Sequence, residues 1–81
     1  MTTEYKTIYV ETCGNGSVLC FDREYFLLGQ ITWNAQRNQF EYSAQYATVY
    51  TTERLVEIAS CLIHLQREKN AKLPIGDVAG N

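Results

Sequence analysis

The chain has 81 residues, a formal net charge of −2, and seven basic against nine acidic residues. A single domain of this length buries about 60% of its unfolded surface, so most buried apolar residues are needed for stability and little material is left for a deep active-site cleft. This charge balance disfavours binding to a long nucleic acid, because nucleic-acid-binding proteins usually neutralise several phosphates with clustered lysines and arginines.

Cysteine usage and hydropathy limit the cellular context. Cys13, Cys20 and Cys61 are an odd number without a Cys-x2-4-Cys pair, and the polar start MTTEYK has no apolar signal region. A secreted disulfide framework and a zinc site are therefore not expected. No apolar stretch approaches the ~20 residues that span a bilayer. We expect a cytoplasmic protein with buried free thiols, no metal, no cofactor and no membrane contact.

The first predicted element is a β-hairpin in YKTIYVETCGNGSVLCFDRE, with Asn15-Gly16 at its tip. This dipeptide tolerates the positive φ values of a two-residue type I′ turn. Such a turn sets three pairs: Gly14 with Ser17, Thr12 with Leu19, and Val10 with Phe21. Val10, Leu19 and Phe21 would then share the face that the rest of the chain must cover.

A second hairpin is predicted in EYFLLGQITWNAQRNQFEYSAQ, with a turn at NAQRN. Leu27, Ile31 and Trp33 alternate onto one side of the first strand. Trp33 and Phe40 are expected to pair across the hairpin.

Two segments of the sequence are each compatible with two local structures. Residues 24–30 form a strand in which Gly29 marks a bulge or the close approach of another backbone, or they form a short helix, which their leucine pair also suits. Residues 46–52, YATVYTT, alternate with period two, which would place Tyr46 and Tyr50 on one face. They continue the fourth strand or form a short fifth one.

The last predicted element is a helix that Thr51 or Thr52 caps and that runs to about Lys69, with Glu53 at the positive end of its dipole. Apolar side chains fill about half of its circumference and must cover a sheet: Leu55, Val56, Ile58, Ala59, Leu62, Ile63 and Leu65. Polar side chains occupy the rest: Glu53, Glu57, Ser60, His64, Arg67 and Glu68.

The predicted fold class is α+β, an antiparallel β-meander of four to five strands with one C-terminal helix packed on one face. Residues 1–69 form a single domain. Residues 70–81 contain the only proline and two glycines and are expected to be a flexible tail. One helix cannot cover both faces of a sheet, so the other face is expected to meet water or a partner.

The polar helix face offers the only constellation that resembles a catalytic site. His64 and Glu68 are an i,i+4 pair, and Glu57 and Ser60 share their face. This face is expected to be convex and solvated, without a pocket or an oxyanion donor. We therefore predict no catalytic residue and no enzymatic activity.

The segment from Tyr25 to Thr52 has only Arg37 and Glu41 as charges but seven aromatic residues: Tyr25, Phe26, Trp33, Phe40, Tyr42, Tyr46 and Tyr50. An 81-residue core can hardly bury all seven, and protein interfaces are enriched in large aromatics with few lysines. We predict a protein-binding surface of Tyr42, Tyr46 and Tyr50 with Arg37 at its rim. The partner is another protein or a second copy in a homodimer. Base stacking on a nucleic acid is disfavoured, because Arg37 is the only basic residue nearby.

The order TIYVET-CGNG-SVLCF, then a Tyr-rich meander, then TTERLVEIASCLIHLQREK resembles that of small accessory proteins of temperate bacteriophages and prophages. Many of that group are acidic single domains without catalytic motifs, and some block host defence systems by binding them. The resemblance implies a stoichiometric inhibitor or adaptor of a host protein and transfers no site residue. The alternatives are a homo-oligomeric structural module and a single-stranded nucleic-acid binder.

Overall fold

The computed structural model describes residues 2–72, which form five strands and one helix. The elements are β1 Thr2–Glu4, β2 Ile8–Thr12, β3 Val18–Asp22, β4 Leu27–Asn34, β5 Gln39–Ala44 and α1 Thr52–Ala71. Each strand pairs antiparallel with its neighbour in sequence, in the order β1-β2-β3-β4-β5. The predicted α+β meander with one C-terminal helix on one face is confirmed.

The sheet has five strands, but the fifth strand is not the segment that the sequence predicts. The additional strand is β1, before the first hairpin. Residues 46–52 neither continue β5 nor form a strand, because the chain turns at Tyr46 and Ala47 directly after β5. The predicted alternation of Tyr46 and Tyr50 on one strand face is therefore wrong.

The turn at Asn15-Gly16 is present, but its loop has three residues instead of two. Cys13 N donates to Ser17 O at 2.8 Å, and Gly16 N donates to Cys13 O at 3.0 Å. Within this loop only Gly16 has a positive φ, of 89°. This is a type I turn followed by a left-handed glycine, not the predicted type I′ turn.

The longer loop shifts the register of the first hairpin by one residue. Val10 pairs with Cys20, and Thr12 pairs with Val18. Successive strand side chains point to opposite faces, so the shift places Leu19 and Phe21 on the face opposite Val10. The predicted shared face of these three residues is wrong.

The second hairpin forms as predicted around Trp33 and Phe40, which pair and whose ring centroids lie 5.0 Å apart. The alternative of a short helix at residues 24–30 is wrong, because β4 begins at Leu27. A bulge interrupts the pairing of β3 with β4. Because of this bulge Leu28 is buried with Ile31, whereas Leu27 is exposed on the other face.

The helix begins as predicted, since the Thr51 side chain accepts a hydrogen bond of 3.1 Å from Arg54 N. It continues to Ala71, so the predicted boundary after Lys69 falls inside the helix. Most of the predicted tail, residues 73–81, lies outside the described residues.

The core lies between the helix and one face of the sheet. Its buried members are Ile8, Val10, Val18, Cys20, Leu28, Ile31, Ile58 and Cys61. Leu62 and Leu65 are half-buried against them. The prediction that the whole apolar arc covers the sheet is wrong, because four members are exposed: Leu55, Val56, Ala59 and Ile63.

One flank of the helix contacts the segment before β2 through residues that are distant in sequence. The Glu57 carboxylate accepts hydrogen bonds from Thr7 N at 2.9 Å and Thr7 Oγ1 at 2.8 Å, beside β2. This contact fixes the acidic flank of the helix against the sheet. The opposite flank, which carries Leu55 and Ile63, then points away from the core.

Candidate protein-binding site

Two of the predicted site residues pack inside the domain. Tyr42 and Tyr50 lie on the helix side of the sheet, half-buried, with their hydroxyl oxygens 2.7 Å apart. Tyr50 Oη also donates to Leu28 O at 2.9 Å. Their hydroxyls are thus satisfied internally, and both rings support the core.

The other two predicted residues lie at opposite ends of β5. Arg37 is in the hairpin loop before β5, where its guanidinium is 3.7 Å from the Glu41 carboxylate. Hydrogen bonds from Asn34 and Gln39, assisted by Arg37, hold the pKa of Glu41 below its ordinary value. Tyr46 follows β5 and is 95% exposed. The four predicted residues therefore do not form one surface.

The sheet face away from the helix carries a different group of aromatic rings. Tyr9 and Phe21 lie on this open face, because their strand neighbours are buried against the helix. The Tyr25 ring stacks on Tyr9, with centroids 5.0 Å apart and an interplanar angle of 13°. It also contacts Phe21 at 5.2 Å and is 52% exposed. We call Tyr9, Phe21 and Tyr25 the aromatic cluster.

Tyr25 occupies a backbone position that suits glycine. Its loop joins β3 to β4, where Asp22 N donates to Phe26 O at 2.9 Å and Tyr25 N donates to Asp22 O at 3.0 Å. These bonds match those of the first hairpin loop one for one. The left-handed position is Gly16 in the first loop and Tyr25, with φ of 69°, in the second.

This conformation strains the backbone of Tyr25. A left-handed residue with a Cβ atom costs roughly 1–2 kcal/mol, and bulky side chains adopt it rarely. The Asp22 carboxylate holds the loop by accepting hydrogen bonds from Glu24 N at 2.8 Å and Phe26 N at 3.0 Å. Glycine would form the same loop with less strain but would place no ring on the open face.

Charged groups border the aromatic cluster. The Arg23 guanidinium lies 4.4 Å from the centroid of the Tyr9 ring and 2.7 Å from the Glu4 carboxylate. The Tyr25 hydroxyl is 3.4 Å from Glu11 Oε2. Partial desolvation raises the pKa of Tyr25, and the Glu11 carboxylate raises it further.

A second exposed apolar surface runs along the helix. Leu55, Val56 and Ile63 are each at least half exposed, and Ala59 lies between them on the same flank. We call these four residues the outer stripe. They are the part of the predicted apolar arc that the sheet does not reach.

The polar helix face borders a groove, contrary to the prediction that it lacks a pocket. His64 and Glu68, 3.5 Å apart, lie on the rim of a groove of about 470 Å³ between the helix and the first three strands. Cys61 and Tyr5 line it as well. Burial raises the pKa of Cys61, which disfavours a nucleophilic thiolate.

The cysteines of the described residues form no disulfide. Cys13, Cys20 and Cys61 are free thiols, of which Cys20 and Cys61 are buried. Within residues 2–72, no three side chains of His, Cys, Asp or Glu are grouped to hold a metal ion. No helix in the same range is long and apolar enough to cross a membrane.

The hydroxyl of Tyr5 and the thiol of Cys20 are expected to make the stability of the domain fall at alkaline pH. Burial raises the pKa of Tyr5 to about 12 and that of Cys20 to about 12, and the neighbouring Cys61 adds to both shifts. In the unfolded chain the pKa values of tyrosine and cysteine are about 10 and about 8.5. Between these values and about 12 the folded state binds more protons, so the free energy of unfolding falls as the pH rises. Below about pH 8.5 this contribution is fully present.

Urea unfolding at several values between about pH 8 and pH 11 measures this dependence. We expect a steady loss of the free energy of unfolding. Cys20→Ala removes one of the titrating groups and should flatten the curve. A free energy of unfolding that stays constant or rises across this range contradicts the expectation.

Comparison of the chain with models of known protein families, with curated proteins and with solved structures found no match.

Proposed function

We propose that this chain is a non-catalytic protein-binding module whose partner docks on the aromatic cluster of the open sheet face. The observation that carries the proposal is Tyr25, a bulky residue held in a conformation that the preceding turn gives to glycine. Strained residues that the surrounding structure maintains are concentrated at binding and switching sites. Here the strain places an exposed ring on a sheet face that no element of residues 2–72 covers.

The chemistry of the cluster favours a protein partner. Tyrosine and phenylalanine bring large contact areas with only two rotatable bonds, so ordering them on binding costs little entropy. A nucleic acid would require free cationic side chains. Among the described residues, the cation at the cluster is Arg23, which is paired with Glu4, while the Tyr25 hydroxyl lies beside the Glu11 carboxylate.

The biological role that we propose is that of a cytoplasmic stoichiometric inhibitor or adaptor of a host protein, as in the phage-encoded group that the element order resembles. Such a protein acts by occupying a surface of its target. It needs a preformed contact area and no catalytic group. The aromatic cluster supplies such an area, because Tyr25 already stacks on Tyr9 and contacts Phe21.

Self-association is the second candidate function, and the outer stripe favours it. Its exposed side chains lie on one flank of the helix α1, where the same flank of a second copy can pack. In this case the chain is a homodimeric structural module and the aromatic cluster is not its interface.

Photo-crosslinking tests which surface meets a partner. Benzoylphenylalanine replaces Leu27 beside the aromatic cluster, Tyr46 on the exposed loop, or Ile63 on the outer stripe, in three tagged variants irradiated in a bacterial lysate. Leu27 is suitable because it is exposed and pairs with Phe21 of the cluster.

We expect one discrete adduct from position 27 and none from position 46. An adduct from position 63 alone, with the mass of two copies of the chain, supports the homodimer instead. An adduct from position 46 alone contradicts the proposal and restores the loop tyrosine as the contact.

A further inference from the structure

Arg23, the cation beside the aromatic cluster, already contacts three groups within the domain. The Arg23 guanidinium forms an ion pair of 2.7 Å with Glu4 and donates to Tyr5 O at 2.9 Å. It also lies over the Tyr9 ring. This contact shows that a ring of the cluster accepts a guanidinium on its face, as expected for a cation–π interaction.

The Glu11 carboxylate has no such cation. Its strand position places it on the open face, and among residues 2–72 it forms no ion pair. Its one hydrogen-bond partner among these residues is the Tyr25 hydroxyl, at 3.4 Å. Glu24, in the loop beside Tyr25, also forms no ion pair within the described range. The charge available to a partner at this surface is therefore negative.

We propose that the partner inserts an arginine side chain against the exposed Tyr25 ring, with its guanidinium paired to the Glu11 carboxylate. This inference rests on the proposed function and specifies the chemistry of its partner. Arginine fits better than lysine, because a planar guanidinium stacks on an aromatic ring and presents paired donors to a carboxylate. Tyr25 and Glu11 supply the ring and the carboxylate side by side.

A defined probe tests the inference without knowledge of the partner. The ¹⁵N-labelled chain is titrated with N-acetylarginine amide and, in parallel, with N-acetylcitrulline amide, which is neutral and of nearly the same shape. We expect the arginine probe to move the amide resonances of Tyr9, Glu11 and Tyr25 and the citrulline probe to move them much less.

Glu11→Gln should weaken binding of the arginine probe about fivefold, since an exposed charge pair contributes up to about 1 kcal/mol. Glu53→Gln is the matched control, because Glu53 is an exposed carboxylate on the helix, paired with Lys6. Equal shifts from both probes, shifts centred elsewhere, or an unchanged affinity of Glu11→Gln each overturn the inference.

The crosslinking experiment at position 27, repeated in the Glu11→Gln background, separates the two proposals. A reduced adduct yield supports the arginine contact. An undiminished yield shows that the partner docks on the cluster without it, which overturns the inference and leaves the proposed function standing. If the parent chain gives no adduct at position 27, the proposed function fails and the inference fails with it.

Discussion

Gly29→Ala is expected to lower the free energy of unfolding by roughly 1–3 kcal/mol, the range typical of an overpacked core site. A Cβ atom at Gly29 would lie 2.5 Å from Tyr42 Oη and 2.6 Å from Tyr42 Cζ, and closer still to the backbone oxygen of Ser43. The backbone oxygen cannot retreat without disturbing the pairing of β4 with β5. A displaced Tyr42 ring would also give up its hydrogen bond to Tyr50.

Gly14→Ala is the matched control for this change. No heavy atom lies within 4 Å of a Cβ built at Gly14, so we expect a change within about 0.5 kcal/mol. Urea unfolding of both variants measures the difference. Similar stabilities for the two alanine variants would show that the close approach at Gly29 does not constrain the sheet.

Ile58→Ala is expected to cost roughly 2–5 kcal/mol, because Ile58 is only 4% exposed and its truncation leaves a cavity in the core. Leu55→Ala, one turn earlier on the same helix, should change stability by no more than about 0.5 kcal/mol, because Leu55 is 54% exposed. The first cost is a large part of the total stability of about 5–15 kcal/mol that is usual for single domains.

Thermal unfolding of the two variants, followed by circular dichroism, distinguishes the observed helix orientation from the predicted one. A large loss in Ile58→Ala with a near-parental Leu55→Ala agrees with the structure. Comparable losses would mean that the whole apolar arc is buried, as the sequence pattern alone indicates.

Local patterns predicted the two hairpins and the helix, but they did not predict β1 or the bounds of the elements. Alternation and the Asn15-Gly16 turn located the first hairpin, and the threonine cap located the helix. The predicted register of the first hairpin was wrong because the same sequence is compatible with a loop of two or of three residues. The orientation of the helix was not predicted, because it involves contacts between residues far apart in sequence, such as Thr7 and Glu57.

The sequence did not show where the hydroxyl groups of Tyr42 and Tyr50 find their partners. Tyr42 and Tyr50 were assigned to the surface because a phenol prefers water, but each hydroxyl finds the other inside the domain. The sequence did not reveal the aromatic cluster because the predicted register placed Phe21 on the covered face, whereas the observed register places it on the open face. One usable signal was present: Tyr25 follows Asp22 at the spacing by which Gly16 follows Cys13.

Tyr25→Gly separates the binding role of this residue from folding. Glycine adopts the left-handed conformation of the loop without strain, which favours the folded state by roughly 1 kcal/mol and opposes the loss of ring stacking. We therefore expect a variant about as stable as the parent. Removal of a central interface tyrosine typically costs about 2 kcal/mol or more of binding, so we also expect a loss of affinity of about thirtyfold.

The most direct test measures both quantities on the same Tyr25→Gly preparation, namely the free energy of unfolding in urea and the affinity for the protein crosslinked at position 27. Tyr46→Gly, at a tyrosine that is nearly fully exposed, is the control. We expect unchanged stability with lost binding for Tyr25→Gly, and retained binding for Tyr46→Gly. Parental binding by a folded Tyr25→Gly variant would contradict the assignment of the aromatic cluster as the interface.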